Sequence, residues 1–334
     1  MVFTDYGVPL MTGGKIMTLP VYMYREVIGL MNFSNGAFVG LILLLPAVIA
    51  FLFDLKREES SNVNTVVRKF VVVDHRGRDL LAYVLCIMVA VAVCLPIVAF
   101  ILLSFVNKYP VDMTFSFANI RKTLKAGAGI YMRNSLAVAL LTSFVGTAIT
   151  YFSAYITARN GKKISDRVLR LLSMLPMAIP GIVLGLSYVF AFHNMPFYQT
   201  MLILVMVNMI HFFASPYLMG YNSLLKYSRN LEDVADSLGI GRFRMLGAVY
   251  LPETFGTVLE MYSYFFVNCM ITISAVSFLA NFRTLPLAML IPQLEAQSFL
   301  EGTAIVSLMI LAINLALKSL IYWVKRMYIK GNIR

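Results

Sequence analysis

Asn230-Leu-Glu-Asp-Val-Ala-Asp-Ser-Leu-Gly239-Ile-Gly-Arg-Phe-Arg-Met-Leu-Gly-Ala-Val249-Tyr-Leu-Pro252 is a polar interruption between two long apolar runs, and its reading decides the fold. Leu231, Val234, Ala235 and Leu238 recur at helical spacing. That spacing predicts a short amphipathic helix with Glu232, Asp233 and Asp236 on its wetter side. Gly239 stands where such a helix ends in a left-handed residue. Leu251-Pro252 then opens the next apolar run, since proline is welcome in a first helical turn. A short helix should therefore lie across a membrane face, followed by a turn and a re-entry. The small side chain of Ala235 would let another surface approach closely.

Outward from this stretch the chain is apolar almost throughout. Of its 334 residues 60% are hydrophobic and 13% charged, with a mean hydropathy of +0.79. A soluble fold cannot hide that much apolar surface. About 20 apolar residues cross the hydrocarbon core as a helix, and seven spans fit: 38–54, 81–106, 134–158, 168–192, 198–224, 252–280 and 301–324. The loops at 56–78, 159–170, 226–244 and 325–334 carry nineteen Lys and Arg, against eight in the opposite set. By the positive-inside rule the first set, the 230–252 loop and the C-terminus face the cytoplasm. The loop from Lys108 to Arg133 is more basic than an outside loop should be.

Several function classes fall away on the same reading. The net charge of +12 sits in connecting loops, not on a basic face of a soluble fold, so a nucleic-acid partner is not expected. Cys86 and Cys94 are about 12 Å apart along one helix, too far for a disulfide; with Cys269 they read as packing residues. His75, His193 and His211 make no metal-ligand spacing, so no metal site is expected. No paired nucleophile and base marks a catalytic site. Gly13-Gly-Lys15 and Gly161-Lys-Lys163 lack the spacing and hydroxyl of a phosphate loop, so ATP hydrolysis would need a partner.

Residues 1–37 fall outside on this topology, with no signal peptide to carry them there. An internal repeat accounts for it. Thr18-Leu-Pro20 recurs as Thr284-Leu-Pro286, and Phe33-Ser-Asn-Gly36 is echoed by Phe299-Leu-Glu-Gly302 at the same offset. The division expected is a first-half tail with one transmembrane helix (1–54), a cytoplasmic linker (55–80) and a complete second half (81–334), its core about 130–324. The chain then reads as N-terminally truncated.

The spacing Asp233-Val234-Ala235, three residues, Gly239, nine residues, Val249, one residue, Leu251-Pro252 resembles the EAA loop of ABC-importer permeases, whose pattern is EAA-x3-G-x9-I-x-LP. Asp replaces Glu, and Val replaces the first Ala and the Ile. In that family the loop forms a coupling helix that docks in a groove of the ATPase. Phe3–Pro9, Met174–Gly185 and Phe266–Val276 resemble fused, double-length permeases for iron(III) or 2-aminoethylphosphonate, the phosphonate kind more closely. The resemblance implies an all-α integral membrane fold: a six-helix type I permease bundle preceded by one extra transmembrane helix, in a bacterial inner membrane. It implies membrane lipid, an ATPase dimer, an external solute-binding protein and a first permease half, fused or separate, as partners. ATP-Mg would sit on the ATPase, with no cofactor on this chain. The expected function is ATP-driven import of a small solute, a phosphonate favoured over iron(III). The rivals are an ion-gradient carrier and a non-functional permease fragment.

A polar side chain inside a span is a candidate for the solute path. The candidates are Asn208 and His211 in the fifth span, and Glu260, Asn268, Thr272 and Ser274 in the sixth. Glu260 lies about 12 Å beyond Pro252 along a helix. Left without a partner there it would cost about 3 kcal/mol. It therefore meets the ammonium of a zwitterionic solute or pairs with a neighbouring helix at the boundary. His211 reads as a packed, hydrogen-bonded residue ahead of a ligand. Pro176 and Pro180 should kink the fourth span, and Asn134 and Ser135 should open the third.

Overall fold

The computed structural model describes residues 7–14, 16–60, 76–159, 164–228 and 230–332. In chain order come α1 (Gly7–Thr12), α2 (Leu19–Tyr24), α3 (Phe33–Ser60) and α4 (Arg76–Ser104). A hairpin of β1 (Val106–Lys108) and β2 (Asp112–Phe115) leads into α5 (Ala118–Thr123), α6 (Gly129–Arg159), α7 (Ile164–Met174) and α8 (Gly181–Phe192). Then follow α9 (Met201–His211), α10 (Ala214–Leu224), α11 (Asn230–Ser237), α12 (Arg242–Met245) and α13 (Leu251–Glu253). The last three are α14 (Phe255–Ile271), α15 (Leu290–Ala296) and α16 (Leu300–Asn332). Most of the expected linker (61–75) lies outside the described residues, as do 1–6, Lys15, 160–163 and Arg229.

The centre of the bundle is α6, packed against α14, α10 and α9. Its buried stripe is made of small residues, Ala139, Ser143, Gly146, Thr150, Ala154 and Ala158. In lipid, helices gain nothing by hiding apolar surface from one another, so close backbone approach over small residues supplies the attraction. A Cβ added at Gly146 would stand 2.9 Å from the Phe265 ring of α14. Three of the hydroxyls on α6 cost little, because they return to a carbonyl one turn back: Ser143 to Ala139 at 2.6 Å, Thr150 to Gly146 at 2.7 Å, Thr157 to Ser153 at 2.9 Å.

Three of the seven expected spans differ from straight helices. The fourth is divided into α7 and α8, which meet at an angle of 110°. Pro176 and Pro180, which lack an N–H, stand in the break between them. The fifth is bent by 52° between α9 and α10. Pro216 explains that bend, since a proline ring collides with the carbonyl four residues back, here that of Phe212. The sixth leaves the helix at Thr272, whose backbone is extended, and runs irregularly to Pro286. Asn134 and Ser135 do not open α6 but lie inside it and hold that irregular run. Asn134 Nδ2 donates to the carbonyls of Arg283 (2.9 Å) and Leu285 (3.3 Å), and Ser135 Oγ accepts from Leu287 N–H (2.7 Å).

At the periphery, α4 packs on α16 and otherwise presents apolar side chains outward. Cys86 and Cys94 are exposed on it, so of the three expected packing cysteines only Cys269 is buried. At the other edge Val21, Met23, Val27, Val39 and Leu43 pack on Ile182, Val183 and Leu186 of α8. Residues 18–60 and 284–332 follow the same course. Each has a proline-opened short helix, a left-handed residue (Met31 at φ 54°, Ser298 at φ 56°) and a long apolar helix.

Replacing Gly146 by Leu should force α6 off α14 and cost about 1–3 kcal/mol, the range for overpacking a tight contact. Thermal melting in detergent reads this as a lowered midpoint. Adding Phe265→Ala should recover part of the loss, and a double variant no more stable than Gly146→Leu alone would disprove the contact.

Candidate functional site

The loop after α10 is held by one buried side chain. Arg159 ends α6, where the helix dipole favours a cation. Its guanidinium grips the Glu232 carboxylate of α11 with two bonds, Nε to Oε1 and Nη2 to Oε2, each 2.5 Å. The remaining donors reach the carbonyls of Leu224 (3.2 Å), Tyr227 (2.8 Å) and Ser228 (2.9 Å), so the turn between α10 and α11 wraps around it. Tyr250 completes the clamp. Its ring lies 5.1 Å from the guanidinium carbon, and its hydroxyl donates to Glu232 Oε1 at 2.5 Å. Tyr155 Oη bonds the Arg242 carbonyl at 3.2 Å, and Tyr151 meets Thr254 at 2.6 Å, so α6 holds both ends of the 230–252 stretch.

This clamp changes part of the pattern predicted from periodicity, while Asp233 and Asp236 stay exposed as expected. Glu232, expected on the wet side, points inward with Ala235, which is buried beside Tyr155 and Tyr250. Leu231, Val234 and Leu238 form the outward stripe, with Val234 54% and Leu238 68% exposed. The reason is electrostatic: a buried Arg159 needs a carboxylate, and satisfying it outweighs hiding three aliphatic side chains. Phe243, 79% exposed and stacked on Phe152, extends the apolar surface. Asp233 is exposed beside the stripe, and Val249 packs under the loop. Gly239 takes φ 67° and ends α11 with the Ile240 N–H bonded to the Ala235 carbonyl at 2.8 Å. No atom lies within 4 Å of the Cβ it lacks, so its need for glycine is conformational. Leu251 and Pro252 sit in the short α13, and the chain turns at Thr254 before α14 begins, three residues later than expected. Burial acts to raise the Glu232 pKa, but the bonds from Arg159 and Tyr250 outweigh it and hold the carboxyl below its ordinary range.

The path candidates fall into two groups. His211 ends α9, Ser274 lies in the irregular run after α14, and both press on Gly181 at the start of α8. A Cβ at Gly181 would stand 2.5 Å from Ser274 Oγ and 2.8 Å from His211 Cε1. Three helix breaks thus converge on one glycine, the arrangement of discontinuous helices that lines transport sites. One turn before His211, Asn208 is buried and donates to the Leu204 carbonyl at 2.8 Å. Asn208 Oδ1 and His211 Nδ1 have no partner among the described residues. Asn268 donates to the Tyr264 carbonyl at 2.8 Å, and buried Thr272 marks the end of α14. Glu260 stands apart: it is exposed and ion-paired with Lys325 near the end of α16, the boundary pairing rather than a cavity wall. Among the described residues no three His, Cys, Asp or Glu side chains gather as a metal ion would require.

The fold is a helical bundle with long apolar helices, two bent helix pairs and a clamped, apolar-faced helix at one end. The family model described as "Binding-protein-dependent transport system inner membrane component" matches residues 146–330, and the chain belongs to that family, the type I permeases of ABC importers. It is 24% identical over 301 residues to the ferric transport system permease protein FbpB of Actinobacillus pleuropneumoniae, covering 84% of this chain and 42% of that protein. It is 27% identical over 305 residues to the putative ferric transport system permease protein FbpB 1 of Haemophilus influenzae, covering 84% and 46%. The chain therefore spans less than half the length of these relatives. A bacterial ABC transporter involved in the import of the acidic polysaccharide alginate shares the fold, with a TM-score of 0.54 at 14% identity, covering 78% of this chain and 99% of that one.

Arg159→Ala should leave Glu232 half-buried without its cation and cost about 3 kcal/mol, the lower end for a broken buried pair. Amide exchange in 230–238 should speed up while α14 stays protected. Acid should lower the protection factor of the same segment, its exchange being compared with the intrinsic rate at each pH. Because the folded Glu232 pKa is depressed, the clamp is at full strength above the ordinary carboxylate range, about 4.3, and is lost as pH falls below it. A protection factor for α11 that stays constant as pH is lowered until the fold itself is lost would refute the clamp.

Proposed function

We propose that this chain is the membrane part of an ATP-driven importer and that α11 is the handle by which a separate ATPase moves it. The observation that carries the reading is the outward stripe of Leu231, Val234 and Leu238, apolar side chains presented outside the bundle on a helix fixed to α6 through Glu232 and Arg159. A stripe of this kind fits a groove on a partner. Movement of α11 passes through Arg159 into α6, the helix on which α9, α10 and α14 all pack. Closure of an ATPase dimer would then reopen the bundle to the other side, with ATP-Mg held on the ATPase. An external solute-binding protein would deliver the solute at the opposite end.

The coupling face is read as cytoplasmic. Tyr328 near the end of α16 bonds the Pro252 carbonyl at 3.1 Å, so the C-terminal end of α16 belongs to the same face. The convergence of His211 and Ser274 on Gly181 is the best-supported stretch of the solute path, and Glu260 drops out of it. The shared course of 18–60 and 284–332 supports reading residues 1–54 as the closing element of one permease half and 81–334 as another. Iron(III) as the solute has the support of two relatives named for ferric transport. The phosphonate reading rests on the likeness of the 174–185 and 266–276 segments. Uptake of radiolabelled iron against 2-aminoethylphosphonate separates the two.

Val234→Asp with Leu238→Asp should abolish co-purification of the ATPase while the chain stays in the membrane with α11 still protected from exchange. ATPase recovery equal to the wild type would sink the docking role.

A further inference from the structure

At the end of the bundle remote from α11, the structure holds a second polar feature that the coupling reading does not use. The β1–β2 hairpin, α5 and the turn from α15 into α16 border an open-mouthed cavity of about 640 Å³. Asn107, Lys108, Asn119, Lys122, Gln297 and Glu301 line it. The volume is that of a small-molecule site.

Two of its wall groups are buried acceptors with bonding capacity to spare. Glu301, 4% exposed in the first turn of α16, accepts one bond among the described residues, from the Tyr109 N–H at 2.6 Å. No ion pair reaches it among the described residues, although two lysines share the cavity. A carboxylate buried with one donor is expensive unless a cation joins it. Asn119, fully buried in α5, spends its Nδ2 on the carbonyls of Val106 (2.7 Å) and Asn107 (3.0 Å). Its Oδ1 has no partner among the described residues. These groups ask for a compact donor bearing several hydrogens, and a primary ammonium is such a group. Lys108 and Lys122 are exposed and supply the opposite demand, for an oxyanion.

We propose that this cavity binds a small zwitterion, a primary ammonium seated on Glu301 and Asn119 and joined by a short linker to a phosphorus oxyanion held by Lys108 and Lys122. A free phospho-amine solute and the headgroup of an ethanolamine lipid share this chemistry. The site also gives the basic 108–133 loop a use other than topology. Its placement on the outer side rests on the orientation proposed above, whereas its chemistry does not.

The test uses the full chain in phosphatidylcholine nanodiscs, titrated with O-phosphoethanolamine, ethyl phosphate and ethylamine. Phosphoethanolamine should bind saturably, and each half-molecule at least tenfold more weakly. E301Q, which keeps an acceptor for the Tyr109 N–H, should weaken phosphoethanolamine at least tenfold and leave ethyl phosphate unchanged. K108A/K122A alters two exposed side chains, so it remains informative if E301Q fails to fold; it should remove ethyl phosphate binding. A lipid occupant is distinguished in nanodiscs of mixed phosphatidylethanolamine and phosphatidylcholine. There the ethanolamine lipid should stay with the wild type in native mass spectra, leave E301Q, and block the soluble probe. The proposal is overturned if neither the soluble probe nor the ethanolamine lipid is preferred over its counterpart lacking the primary ammonium, or if both variants bind as the wild type does. ATPase co-purification from the same samples is an independent readout: its absence would count against the coupling reading, not against the cavity.

Discussion

Close contact between α6 and its neighbours is the constraint from which the rest of the architecture follows. Lipid offers no hydrophobic penalty for pulling helices apart, so cohesion has to come from atoms that touch. The stripe from Ala139 to Ala158 lets α10 and α14 come in to the backbone, and Gly146 under the Phe265 ring is its tightest point. Once α6 is fixed in that way, its two ends become organising points. Asn134 and Ser135 gather the irregular run of 283–287 at one end, and Arg159 gathers the 230–252 loop at the other.

Irregular backbone within a membrane bundle is tolerated only where protein or water satisfies it. The three breaks obey this rule by meeting one another. The start of α8, the end of α9 and the run after α14 crowd around Gly181, so each exposed turn is covered by the next. The same crowding brings His211 and Ser274 together from segments more than sixty residues apart. The proposed path for solute would then coincide with the solution to the backbone problem.

The sequence made some of this legible and hid the rest for physical reasons. Composition and the length of apolar runs give an all-helical membrane protein, and the 233–252 spacing gives its family. Prolines forecast the break at 176–180. The bend at 212 was readable from Pro216 four residues later, yet hydropathy alone passes over it. Glu232 was misplaced on the wet side of α11 because periodicity counts aliphatic side chains and is blind to a distant cation. Arg159 carried the signal that would have corrected it: a charge at the last turn of a helix rich in small residues seldom stays unpaired. As one more basic residue in a cytoplasmic loop, it was indistinguishable from the charges that merely set orientation. Glu301 and Asn119 were hidden for a similar reason, since the cavity they line is made by segments nearly two hundred residues apart.

If α11 docks on a partner as proposed, its outward stripe has a consequence for the life of the chain before that partner arrives. Bare aliphatic side chains in water are what chaperones and quality-control proteases recognise on incomplete proteins. A copy of the subunit whose stripe stays uncovered therefore carries a mark of its own incompleteness, while a copy whose stripe is seated does not. Abundance in the membrane would follow the supply of the partner that covers it, with no regulator needed to match the two.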